Sequence, residues 1–185
     1  RTASDHTAAM QLFREATMRL LNINDWQIIC EGLSASFTLM DKTGNPVNTA
    51  PEEGFFIRID IPGPAASSGH GYDWVQIEKI EQVHDLPYAT AHTLMRVRPC
   101  ADPAQPARHA HFFDAKASST FIVRKDGLVV SAEVHGRNEE PSLDDSVIDN
   151  IRNKLVSAVA TAGMAAIQWK KLAKGLLGKN SGIPV

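Results

Sequence analysis

The pair Asp126-Gly127 constrains this chain more than any other local feature, because apolar side chains alternate on both sides of it. A tight two-residue turn with positive φ at both central positions joins antiparallel strands without splaying them, and Asp-Gly favours that geometry. Residues 119–135 therefore read as a hairpin in which Lys125 faces Leu128, Val123 faces Val130, Phe121 faces Ala132 and Ser119 faces Val134. One face of it is apolar. The other carries Thr120, Ser131, Glu133 and His135. A lone hairpin is marginal in water, so more strands and a helical cover are required.

Those strands are visible upstream. In 55–61, Phe55, Ile57, Ile59 and Ile61 alternate with Phe56, Arg58 and Asp60, a half-buried period of two. Trp26–Cys30, Ser34–Met40 and 93–98 read the same way, and turn residues Asp41 to Pro46 follow the second of these. Tyr72–Val83 is ambiguous, since Trp74, Ile77 and Ile80 also fit one helical face, but the alternation of Val75 and Ile77 with Gln76 and Glu78 predicts a strand. Short connections between consecutive strands predict an antiparallel meander.

Helices are predicted at both ends. Ser4 is placed to cap a first helix whose Ala9, Leu12, Phe13, Ala16 and Leu20 share one face. At the other end Ser142 and Asp145 sit in capping-box position, and Ile148, Ile151, Leu155, Val159, Trp169, Leu172 and Leu176 trace a continuous stripe. The fold class expected is α+β. A single domain is expected to hold a curved antiparallel sheet of about six or seven strands over 26–135, packed against an N-terminal helix over 1–21 and a long C-terminal helix over 143–177, with a loose tail over 179–185. At 185 residues, one domain is the expected number.

Charge and composition narrow the function classes. A net charge of −2 and a pI near 6.4 argue against the broad basic surface of a nucleic-acid binder. No apolar run approaches the roughly 20 residues that span a bilayer. A cytoplasmic setting is slightly favoured; a secreted or periplasmic one stays open because the chain starts at Arg1 without Met. Two cysteines, Cys30 and Cys100, read as reduced, buried thiols, with a single Cys30–Cys100 bridge as the reading for an exported domain.

The chemistry-bearing residues are few. His109 and His111 alternate so that a strand would present both on one face, and His135 with Glu133 lies on the hairpin. Three imidazoles of this kind can hold a divalent metal such as zinc, with Glu133 as an extra ligand or base, which is the reading of a metal-assisted hydrolase. Arg137 and Asn138, between the last strand and the C-terminal helix, form a polar junction able to grip an anion. Gly63 and Gly69 are spaced one residue too far apart for a phosphate-binding loop, and no Gly-x-Ser-x-Gly elbow occurs. The basic amphipathic stretch 168–177 is expected to close the domain, with Trp169, Leu172 and Leu176 on the sheet and its lysines in water.

The expected function is that of a non-enzymatic binding or interaction domain without a cofactor. Its object is either a small apolar molecule between the sheet and the C-terminal helix, contacting Trp169, Phe121 and Ile57 with Arg137 and Asn138 nearby, or a protein partner.

Overall fold

The computed structural model describes residues 1–29, 35–60, 72–85, 89–104, 117–137, 169 and 171–178. Helix α1 (His6–Leu21) buries Ala9, Phe13, Ala16 and Leu20. Its N-cap is Asp5 rather than Ser4: Asp5 Oδ1 accepts the Ala8 N–H at 2.8 Å, and Ser4 Oγ donates to Asp5 Oδ2 at 3.0 Å. The carboxylate is the stronger acceptor for orphan helix donors, which moves the cap one residue on. Asn22 ends the helix, and a short 3-10 turn (Ile23–Asp25) leads into helix α2 (Trp26–Ile29).

Helix α2 replaces the strand expected over Trp26–Cys30, of which Cys30 lies outside the described residues. The reason is tertiary. The Trp26 indole N–H donates to the carbonyls of Arg19 and Leu20 at 3.2 and 3.1 Å, which folds the chain back over the end of α1 and gives those orphan carbonyls a partner.

Six strands follow: β1 (Ser36–Met40), β2 (Phe56–Asp60), β3 (Asp73–Asp85), β4 (Thr90–Pro99), β5 (Ser118–Asp126) and β6 (Val129–Arg137). They form one antiparallel sheet in the order β1-β2-β3-β4-β5-β6, and the sheet is open. The α+β meander stands. Residues 1–3 cover the first part of β6, with Val130 N–H to Arg1 O at 2.8 Å and Ala3 N–H to Leu128 O at 2.9 Å. Backbone groups of that edge are thereby paired.

The hairpin register differs from the expected one by two residues. Asp126 pairs with Val129, Lys125 with Val130, Val123 with Ala132 and Phe121 with Val134. The turn centres on Gly127 and Leu128. Only the first of these has positive φ (Gly127, +55°), the pattern of a turn that needs glycine first rather than Asp-Gly. Because the shift is even, every side chain keeps its face.

A bulge between Ile77 and Lys79 explains the helix-like spacing in β3. One extra residue, Glu78, lets Ile77 and Ile80 both point inward although they are three apart. Glu78 itself faces outward, accepting from Arg96 Nε at 2.9 Å and from Arg98 Nε.

The core lies on one face of the sheet. It gathers Phe37, Leu39, Ile57, Ile59, Val75, Ile77, Met95, Val97, Phe121, Val123 and Val130 under α1, Trp26 and the C-terminal residues Trp169, Leu172 and Leu176. Of the long C-terminal helix expected over 143–177, the short helix at 171–176 is what the described residues support, and 143–168 lie outside them. Lys171 and Lys174 are exposed there. Arg19 Nη1 donates to Leu176 O at 3.0 Å and Arg1 Nη1 to Leu177 O at 2.7 Å, so two guanidinium groups engage carbonyls at the end of that helix. Gly178 (φ +69°) completes the stop, and a Cβ there would lie 3.3 Å from Arg19 Nη1. Among the described residues, no helix is long and apolar enough to cross a membrane.

Asn24 ties the start of the chain to the sheet edge. Its Oδ1 accepts the Leu39 N–H at 2.8 Å, and its Nδ2 donates to Val47 O at 2.9 Å. Asn24→Ala removes both bonds and leaves a partly buried donor and acceptor behind. The expected loss is about 2 kcal/mol in equilibrium urea unfolding; a loss below about 0.5 kcal/mol would mean that water replaces the amide without penalty.

Candidate functional site

The inner face of the sheet holds an aromatic cluster at its centre. Trp26 lies 5.3 Å from Phe37, 5.5 Å from Phe121 and 6.4 Å from Trp169, ring centroid to centroid. Trp169 in turn lies 5.9 Å from Phe37 and 5.1 Å from Phe121. Most of these contacts are edge-on or tilted, the arrangements that ring quadrupoles favour. Four elements supply them: α2, β1, β5 and the C-terminal segment.

One carboxyl stands on this same face. In the β2–β3 ladder Asp73 pairs with Ile59, and Ile59 pairs with Phe37 of β1. Asp73 therefore shares its face with Val75 and Ile77. It is partly buried, and among the described residues its carboxyl has no hydrogen-bond or ionic partner. Burial pushes its pKa from the ordinary 3.8 up to about 7. A carboxyl so placed changes charge near neutrality and can accept a hydrogen bond or a cationic group from an incoming molecule.

The residues expected to contact a ligand divide between the two faces. Trp169, Phe121 and Ile57 are brought together in one buried cluster. Arg137 is not with them: it ends β6, exposed, opposite Ser118 and on the outer face. Asn138 lies outside the described residues. The period of two alone separates Arg137 from the apolar set, because Val134 and Gly136 occupy the inward positions.

Of the expected metal ligands, His109 and His111 lie outside the described residues. His135 is exposed on the outer face, with its Nε2 2.9 Å from Glu133 Oε2. Glu133 also accepts from Ser131 Oγ at 3.1 Å, and the hydrogen bond from His135 holds its carboxyl below the usual range. Among the described residues no three metal-ligating side chains converge. Cys100 is a free thiol, pushed up to about 12 by burial and, secondarily, by the charge of Asp102, and Cys30 lies outside the described residues.

Asp73 carries a signal in the sequence. It precedes Val75 by two and Ile77 by four, so strand phase alone puts a carboxylate where an apolar side chain is the norm. No protein-family model matches the chain, and no curated protein matches it at a significant level.

Proposed function

We propose that the chain is a non-enzymatic binding domain, taking a small apolar molecule that carries one hydrogen-bond-donating or cationic group against the inner face of the sheet. The observation that carries this reading is Asp73, a carboxyl that has no hydrogen-bond partner among the described residues and that shares its face with Ile59, Val75 and Ile77. Leaving such a group unsatisfied costs on the order of 1–3 kcal/mol. A ligand donor would recover much of that, and small-ligand sites commonly combine an apolar lining with a few polar groups of this type. The apolar part would lie toward the Phe37–Ile59 side, next to the aromatic cluster. The finer picture, a long C-terminal helix lying across a curved sheet and covering the ligand, belongs to the same proposal.

Octylamine, octanol and octanoate test it, since they share a chain and differ in head group. Followed by tryptophan fluorescence at pH 8, the amine is expected to bind tightest and the carboxylate weakest. Asp73→Asn should reduce amine affinity about tenfold or more, the worth of one charge-assisted hydrogen bond, while leaving octanol within about twofold. Equal affinity of the wild-type protein for all three, or an amine preference that survives Asp73→Asn, would refute the assignment.

A protein partner is the second reading, favoured by the outer side of α1. There Met18, 63% exposed, lines an open depression with His6, Met10 and Arg14.

A further inference from the structure

The residue after Asp73 points the opposite way and poses a separate question. Trp74 is only 6% exposed, yet among the described residues its indole Nε1 has no hydrogen-bond partner. The contrast with Trp26, whose indole N–H reaches two carbonyls, is direct. Buried donors are nearly always paired, so an orphan of this kind calls for an acceptor that the described residues do not supply.

Directly opposite Trp74 in the β2–β3 ladder stands Arg58. Since Ile57, Ile59 and Val75 face inward, Arg58 and Trp74 share the outer face, and side chains so paired are within reach of one another. The Arg58 guanidinium carbon sits 4.7 Å from the centre of the Tyr72 ring, and Nη2 makes a long bond of 3.4 Å to Thr38 Oγ1. Stacking occupies the face of the guanidinium and leaves its edge for in-plane bonds. Arg19, Arg96 and Arg98 each have a glutamate partner, whereas Arg58 has no ion pair among the described residues. Asp60, two residues along the same strand, is exposed and does not pair with it. The Cys100 N–H donates to Trp74 O at 3.0 Å.

We propose that the Arg58 guanidinium edge and the Trp74 indole N–H form a binding site for the carboxylate group of a small organic acid on the outer face of the sheet. Two donors of this kind match the two oxygens of a planar carboxylate, one taking the indole proton and the other the guanidinium edge. A tetrahedral phosphate would call for more donors than this pair provides. The site is independent of the inner-face reading at Asp73.

The three tryptophans make the test specific. In a ¹⁵N-labelled sample each indole N–H gives one resonance, and Trp74→Phe identifies the relevant one. Titration with acetate or propionate at constant ionic strength, held with chloride, is expected to move the Trp74 resonance saturably while that of Trp26 stays fixed. Arg58→Met should abolish the shift and Arg58→Lys should weaken apparent affinity about tenfold, with the Trp26 resonance reporting that each variant is folded. If Arg58→Met does not fold, Arg58→Lys alone decides the point. A Trp74 resonance that ignores both carboxylates, or that responds equally to chloride, would overturn the proposal. So would a shift seen with inorganic phosphate alone, or carboxylate binding unaltered in Arg58→Lys.

Discussion

Trp26→Ala is expected to lower the unfolding free energy by about 4 kcal/mol, the cost of emptying a fully buried aromatic site. Trp26 has no exposed surface and touches Phe37, Phe121 and Trp169. Its loss opens a cavity where four elements meet. The same substitution leaves the carbonyls of Arg19 and Leu20 without their indole donor. Trp26→Phe separates the two contributions, because it keeps a ring and loses the hydrogen bonds; roughly 1–3 kcal/mol of loss is expected for it. Urea midpoints with unchanged slope would confirm that both variants unfold from a native-like state. A loss under about 1 kcal/mol for Trp26→Ala would mean that the ring is not the keystone of the core.

Asp73→Asn is expected to act in the opposite direction and to remove a pH dependence. The native pKa of about 7 exceeds the unfolded value near 3.8, so between these limits the folded protein holds a proton that the unfolded chain releases. Below about pH 3 the carboxyl is protonated in both states and carries no penalty. Stability then falls as pH rises toward 7 and levels off above it. The full difference is on the order of 2–4 kcal/mol, after allowance for the partly exposed edge of the group. The asparagine variant, which cannot ionise, should match wild type near pH 3 and exceed it by that amount at pH 8. Parallel unfolding curves for the two proteins across this range would contradict the placement of Asp73 on the apolar face. A gain in stability on neutralising a side chain fits a residue kept for binding rather than for folding.

Much of the architecture is legible in the residues because sheet faces follow a period of two. Phe121, Val123, Ile57 and Ile59 point inward as their alternation requires, and a hairpin slip of two residues leaves those faces intact. The partners across the hairpin were beyond reach of composition alone, since Asp126-Gly127 and Gly127-Leu128 both make good turns and the φ at Gly127 decides between them. Trp26 shows the limit of local pattern. Its segment alternates like a strand, but a distant pair of helix carbonyls claims its indole. Glu78 is a similar case, where one bulged residue mimics helical spacing in a strand.

The candidate sites were less legible than the fold. Asp73 sits in the apolar phase of β3, so its position follows from alternation once the strand is accepted. Arg58 and Trp74 become neighbours only through the register of two segments separated in the chain, which no local spacing encodes. Arg137 shares a strand with Val134 yet faces away from it, so closeness in sequence did not mean membership of one site. Trp169, Leu172 and Leu176 keep the inward face that their helical spacing predicts.

Trp169 and the residues after it close the inner face of the sheet over Trp26, Phe37 and Phe121. Proton–proton contacts in aromatic-detected NMR test it most directly, with Trp169→Phe assigning the Trp169 ring. Strong cross-peaks from Trp169 to both Phe121 and Phe37 are expected, in keeping with centroid distances of 5.1 and 5.9 Å. A Trp169 ring with solvent-like shifts and no cross-peak to either phenylalanine would contradict the shared interior.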